Sequence, residues 1–146
     1  MIENHIKTVL LLGVLTGLAL LIGQVFGGTT GLTIALIFAL GMNAVSYFFS
    51  AKIVLWMYGA KEADKKHHAK LHEMVADVAR KADIPKPKVY IVENVTPNAF
   101  ATGRNPENGV VACTTGILSL LTDDELRGVI AHEIAHIKNR DILITT

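Results

Sequence analysis

Six histidines and seven glutamates are spread over 146 residues, and three of them meet in one pentapeptide, His132-Glu133-Ile134-Ala135-His136. On a helix, residues four apart share a face one turn above the other, so both imidazoles can reach a single ion. The glutamate after the first histidine stands where it can polarise a water molecule held by that ion. This is the H-E-x-x-H pattern of zinc peptidases, with two nitrogen ligands and a carboxylate base from one stretch of helix. At this composition, chance supplies roughly 0.01 such matches in a chain of this length. Two core or surface histidines on an ordinary helix are the plain alternative. The intervening Glu133 and the character of the flanking residues weigh against it.

A helix is needed to present these groups, and its start is written in the sequence. Thr122-Asp123-Asp124-Glu125 has the capping-box spacing, in which the threonine hydroxyl and the glutamate carboxylate satisfy free amides at the helix start. Asp123 and Asp124 add negative charge at the positive end of the macrodipole. Leu126, Val129, Ile130, Ile134 and Ile137 then recur at helical spacing. Stepping from Leu126, His132 falls at about 240°, His136 at about 280° and Glu133 at about 340°. The apolar stripe covers about 300° through 0° to 80°, so the metal edge borders the buried face. Gly128, Ala131 and Ala135 leave another side slim enough for close packing.

Composition divides the rest of the chain. Residues 8–26 and 31–50 contain no charged side chain, and each run is long enough to cross a hydrocarbon layer of about 30 Å as a helix. The link Gly27-Gly28-Thr29-Thr30 predicts a tight antiparallel hairpin. A cleaved signal peptide fits less well, because the first run is long, lacks an A-x-A site and is followed at once by a second. Lys7 precedes the spans, Lys52, Lys61, Lys65, Lys66 and Lys70 follow them, and the connecting loop carries no charge. That asymmetry places both ends of the hairpin on the cytoplasmic side. Trp56 and Tyr58 fall where an aromatic belt meets the headgroups. Gly13-x-x-x-Gly17, Gly23-x-x-x-Gly27 and the series Ala35, Ala39, Asn43 are small-residue faces that suit packing within the hairpin better than a dimer contact.

Residues 62–82 read as an amphipathic helix with Leu71, Met74, Val75, Val78 and Ala82 on one side, stopped by Pro85 and Pro87. Residues 88–93, 98–103 and 109–115 read as three short strands separated by turns rich in Asn, Pro and Gly. The fold class is therefore α+β: a two-helix transmembrane hairpin over residues 1–58, with spans of about 8–26 and 31–50, then a domain over 59–146. That domain holds an amphipathic helix, a small sheet and the H-E-x-x-H helix. His67, His68 and His72 also contain an i, i+4 pair, but Lys65, Lys66 and Lys70 crowd it and no glutamate intervenes, so it reads as a solvated face. Cys113 is the only cysteine and reads as a small strand residue. A net charge of +1 with no basic patch gives no argument for nucleic-acid binding.

Four features together resemble the HtpX-like integral-membrane zinc metalloproteases, heat-shock quality-control enzymes related to the CAAX prenyl endopeptidases. They are the apolar hairpin, Asn98-Ala-Phe-Ala-Thr-Gly-Arg-Asn-Pro106, Val110-Val111-Ala-Cys-Thr-Thr-Gly116 and His132-Glu-Ile-Ala-His-Ile-Lys-Asn-Arg-Asp141. The resemblance implies a partial zincin-type domain in which His132 and His136 ligate one Zn2+ per subunit and Glu133 is the general base. Zinc would polarise the scissile carbonyl and activate the attacking water. The resemblance also implies that Val110, Val111, Ala112, Cys113 and Thr114 form an edge strand that holds extended substrate by backbone pairing. Asn98 and Asn139 are family-like positions, and Asp141 is a possible hydrogen-bonding anchor near the helix end. The family takes its third zinc ligand, a glutamate, from a later helix, and that ligand is expected beyond Thr146. The 146-residue stretch alone is then expected to bind zinc weakly and to leave casein uncut. The implied function is a membrane-anchored endopeptidase of the cell membrane, multi-pass, with its protease domain cytoplasmic. Its partners would be the lipid bilayer and misfolded or damaged membrane proteins. A non-catalytic membrane adaptor is the alternative, which intact Glu133 disfavours.

Overall fold

The computed structural model describes residues 2–140 and falls into two units, one up to Phe49 and one from Ser50. Asp141 and the expected third ligand lie outside the described residues.

In the first unit, α1 (Ile2–Met57) takes up the whole apolar stretch, and its helical backbone breaks at Gly28, with φ 55° and ψ −143°. Glycine reaches that conformation without the Cβ clash other residues incur, so Gly28 is where the chain can reverse. The two arms approach closely: a Cβ on Gly23 would lie 2.6 Å from the Gly31 carbonyl oxygen and 2.7 Å from the Ala35 Cβ. Further along, Asn43 Nδ2 donates to Thr16 Oγ1 at 3.0 Å, across 27 residues of sequence. A Cβ at Gly13 or Gly17 would meet nothing within 4 Å among the described residues. The arms therefore meet through Gly23 and Gly31 and through the Thr16–Asn43 bond, while Gly13 and Gly17 themselves face no neighbour among the described residues. Most large side chains here, Val25, Phe26, Ile37 and Phe38 among them, point outward. The segment Val9–Met57 is long and apolar enough to cross a membrane.

The second unit begins with the last turns of α1. Gly59, at φ 60°, and a bond from the Ala60 amide to the Leu55 carbonyl (2.8 Å) close the helix end. The amphipathic helix expected over residues 62–82 starts later. Lys61–Glu62 forms a strand, β1, antiparallel to β2 (Lys88–Val92) through the pairs Lys61 with Ile91 and Glu62 with Tyr90. The Asp64 carboxylate then accepts the amides of Lys66 (2.6 Å) and His67 (3.1 Å), an aspartate turn that competes with helix. Only from Ala69 does the chain coil, as α2 (Ala69–Lys81). Leu71, Met74, Val75 and Val78 form its buried face, as the periodicity predicts. Beyond it the Ile84 amide bonds back to the Ala79 carbonyl at 3.1 Å, with Asp83 in the left-handed region at φ 57°.

Two more strands, β3 (Ala99–Thr102) and β4 (Val110–Thr114), complete a mixed sheet of order β1-β2-β4-β3. β4 runs parallel to β2 and antiparallel to β3. This corrects the edge-strand reading of residues 110–114. Both sides of β4 are already paired, and Val110, Val111, Ala112, Cys113 and Thr114 are all buried. The physical reason is apolar demand on both faces. Val111 and Cys113 join Val89, Ile91 and Ala101 in a core shared with the helices. Val110 and Ala112 turn the other way, towards Leu55 and Val92. A strand covered on both faces reads as a continuous apolar run, and residues 110–113 do.

A short helix unmarked in the sequence reading, α3 (Thr115–Leu120), leads into α4 (Asp123–Asn139). Leu126, Ile130, Ile134 and Ile137 of α4 close the core against α2 and the sheet.

Candidate active site

The α4 cap forms as its sequence implies. The Thr122 amide donates to Glu125 Oε2 at 2.9 Å, the Thr122 hydroxyl donates to the same oxygen at 2.7 Å, and the Glu125 amide returns to that hydroxyl at 3.5 Å. Those two bonds from Thr122 hold the Glu125 carboxyl below the usual carboxylate range. With its start pinned and Ile130, Ile134 and Ile137 buried, the helix has little freedom to rotate. That sets the neighbouring side chains: His132 is exposed, while Glu133 and His136 are half-buried at the edge of the apolar stripe.

The two imidazoles converge. His132 Nε2 and His136 Nε2 lie 3.1 Å apart, with ring centroids 4.5 Å apart and planes at 84°. Two nitrogens on one tetrahedral zinc, each at about 2.0–2.1 Å, stand roughly 3.3–3.4 Å from one another. The separation found here is close to that, so the donor pair fits a shared ion. Among the described residues no His, Cys, Asp or Glu joins the pair to make a group of three that could hold a metal. The donor set is therefore two-thirds of a catalytic one, which takes three protein ligands and leaves a fourth position open.

Glu133, half-buried, lies within electrostatic reach of β4. Burial pushes the Cys113 thiol up to about 12, with the negative charge of Glu133 adding to the rise. Cys113, fully buried on β4, is thus a protonated filler beneath the site, as its place on a strand suggests. The second histidine pair is occupied otherwise. His72 Nε2 bonds to the Ala63 carbonyl at 2.9 Å and its Nδ1 meets Lys86 Nζ at 3.3 Å, leaving neither ring nitrogen for an ion.

Sequence reasoning missed the roles of β3 and Thr114. Among the described residues β3 is one of the two outer strands of the sheet and pairs on one side only, and α4 packs beside it. The Thr114 amide donates to the Asn98 carbonyl at 2.9 Å, which makes 98 and 114 a hydrogen-bonded pair. Antiparallel alternation then turns the backbone groups of Ala99 and Ala101 outward. Thr114 holds this edge in place. Its hydroxyl accepts the amides of Asn98 (2.9 Å) and Ile117 (3.2 Å) and donates to the Thr96 carbonyl at 2.9 Å. With β2 and β3 paired on its two sides, it stands inside the sheet rather than at the edge expected of it. The available signal was the unbroken apolar run of β4 beside the more mixed Asn98-to-Gly103 stretch.

A small mixed sheet, backed by a capped helix that carries an H-E-x-x-H turn, has the form of a metallopeptidase domain. The chain belongs to peptidase family M48, whose sequence profile matches residues 65–146. It is 61% identical over 143 residues to the Protease HtpX homolog of Persephonella marina, covering 98% of this chain and 50% of that protein. It is 58% identical over 143 residues to the Protease HtpX homolog of a Sulfurihydrogenibium species, covering 98% of this chain and 48% of that protein. The Burkholderia cenocepacia counterpart is 53% identical over the same length, again covering 98% and 50%. The chain thus spans about half the length of these curated relatives. The crystal structure of S. mikatae Ste24p has the same fold, with a TM-score of 0.60 at 16% identity, covering 99% of this chain and 36% of that one.

Proposed function

We propose that the chain is the membrane-anchored, catalytic-helix part of a zinc endopeptidase acting on misfolded or damaged membrane proteins. The observation that carries this is the convergence of His132 and His136 Nε2 to 3.1 Å, with Glu133 beside them on a helix fixed by its cap and core. His132 and His136 would hold zinc, and the third donor would come from the part of the relatives' length this chain does not span. Bound there, zinc would supply Lewis acidity that polarises the scissile carbonyl and makes the attacking water more acidic. Glu133 accepts the proton of the attacking water and delivers it to the departing amine nitrogen, so the carboxylate is regenerated each turnover. In this reading the outer edge of β3, rather than β4, would hold an extended peptide by backbone pairing.

The apolar arms of α1 are read as a transmembrane hairpin with the domain after Gly59 in the cytoplasm of a multi-pass cell-membrane protein. Support comes from the Val9–Met57 stretch, the reversal at Gly28 and the lysines that follow the second arm. A periplasmic reporter fused after Gly59 should be inactive, and an active one would overturn this orientation.

For the chemistry, Glu133→Gln in the full-length protein is expected to lower hydrolysis of unfolded casein by ~10²–10⁴-fold. Zinc content, read by atomic absorption, should stay at one per subunit. Unchanged hydrolysis would remove Glu133 from the role of base.

A further inference from the structure

We propose that an aromatic clamp between Tyr58 and Phe100 holds the open edge of β3 at the membrane–water interface, where it receives polypeptide as it leaves the bilayer. The inference rests on the membrane reading of α1 given above and adds to it a place for the substrate-pairing strand. Tyr58 immediately follows Met57, the last residue of α1. Its ring lies 4.9 Å from that of Phe100, the planes tilted by 38°. Phe100 sits in the middle of β3 and packs on the cluster formed by Leu55, Val92, Val110 and Ala112. Leu55 comes from the last turn of α1, so that turn and the outer strand share one set of apolar contacts. The turn between them is fixed as well, since the Gly59 amide bonds to the Trp56 carbonyl at 3.0 Å and the Ala60 amide to Leu55.

The same turn leaves Trp56 80%, Met57 71% and Tyr58 51% exposed. Three adjacent apolar or amphipathic side chains in the open need a partner. Trp56 and Met57 end the apolar Val9–Met57 stretch and Tyr58 follows it directly, with Lys52 one turn before them, so the interfacial layer of the bilayer is the surrounding that suits them. Indole and phenol rings favour that layer because one end is apolar and the other hydrogen-bonds. Ala99 and Ala101, whose backbone groups point off the sheet, flank Phe100 at one Cα step of about 3.8 Å. Anything that holds the Phe100 ring near the headgroups holds these unpaired groups there too. Their small side chains turn towards the core, so neither projects over the edge itself.

The test uses the full-length protein in phosphatidylcholine vesicles, labelled with nitrobenzoxadiazole at Ala99→Cys or, as a reference, at Met57→Cys. Nitroxide lipids carry the quencher at headgroup level. Quenching of both labels is expected. Phe100→Ala should cut quenching at position 99 at least twofold and leave position 57 unchanged. Tyr58→Ala, altering an exposed side chain, should do the same and keeps the test informative if Phe100→Ala misfolds. A quenched label at 57 with an unquenched label at 99 would overturn the clamp. So would a signal at 99 that is indifferent to both substitutions. An unquenched label at 57 would instead overturn the membrane reading beneath it. Tyr58→Ala should also lower kcat/KM for a membrane-tethered substrate about fivefold relative to a soluble unfolded one. A purely structural defect would lower both equally.

Discussion

The hydroxyl of Thr114 joins three pieces of backbone: the turn at residues 94–97, the entry to β3 and the first turn of α3. Replacing it by the isosteric valine would leave the buried Ile117 amide and the part-buried Asn98 amide without their acceptor. Thr114→Val is therefore expected to cost ~1–3 kcal/mol, read as a lower denaturation temperature, whereas Thr114→Ser should keep most of the stability. At the adjacent Cys113 the contrast is in reactivity. Burial and the Glu133 charge hold Cys113 as a thiol, pushed up to about 12. Iodoacetamide at pH 8 should thus leave Cys113 intact in the folded protein and alkylate it after denaturation. Prompt native-state alkylation would show that the floor of the site is open. The sequence marked Thr114 and Cys113 as members of a strand. It did not show that one hydroxyl would be shared by segments 16 to 18 residues apart, because nothing local encodes that meeting.

At the scale of elements, α4 is the part whose start and buried face could be read directly. Its cap relies on contacts three residues apart, and its buried stripe on contacts three and four apart, so neither depends on the remaining fold. The hydrogen bonds from Thr122 lower the folded-state pKa of Glu125 relative to the unfolded chain. Their stabilising effect is complete above the unfolded carboxyl value of about 4.3 and is lost as pH falls through the lower folded value. Glu125→Gln should accordingly flatten the acid limb of a stability–pH curve below about pH 4. Thr122→Ala should cost ~0.5–2 kcal/mol at neutral pH. Denaturant midpoints at several pH values would check both. The start of α2 was misplaced for the opposite reason. Lys61 and Glu62 continue an acceptable helical pattern, but their pairing with Ile91 and Tyr90 takes them into the sheet.

Across the whole second unit, α2, the sheet and α4 depend on one shared core, with Val75, Val111, Ile130 and Ile137 fully enclosed. Ile130→Ala should cost ~2–5 kcal/mol and Ile130→Val ~0.5–1.5 kcal/mol, seen as graded losses in thermal stability. Zinc affinity should fall with the alanine variant, because Ile130 sits just before the turn that aims His132. Between α2 and α4, Arg127 Nη1 bonds Asp77 at 2.8 Å, but both side chains are partly exposed and such pairs contribute little. Apolar packing sets how the helices meet.

From the sequence alone came the His132-Glu133-His136 turn, its cap, its apolar face, the uncharged helical arms and an α+β fold class. Each follows from neighbours a few residues apart or from the length of an apolar run. The order of strands, the burial of β4, the open edge of β3 and the 3.1 Å approach of two imidazole nitrogens were decided in three dimensions. Strand pairing joins segments that local preference leaves free to pair in several orders. What selected this order was the burial of Val110 and Ala112 on one face and Val111 and Cys113 on the other, a demand that exists only once both layers are in place.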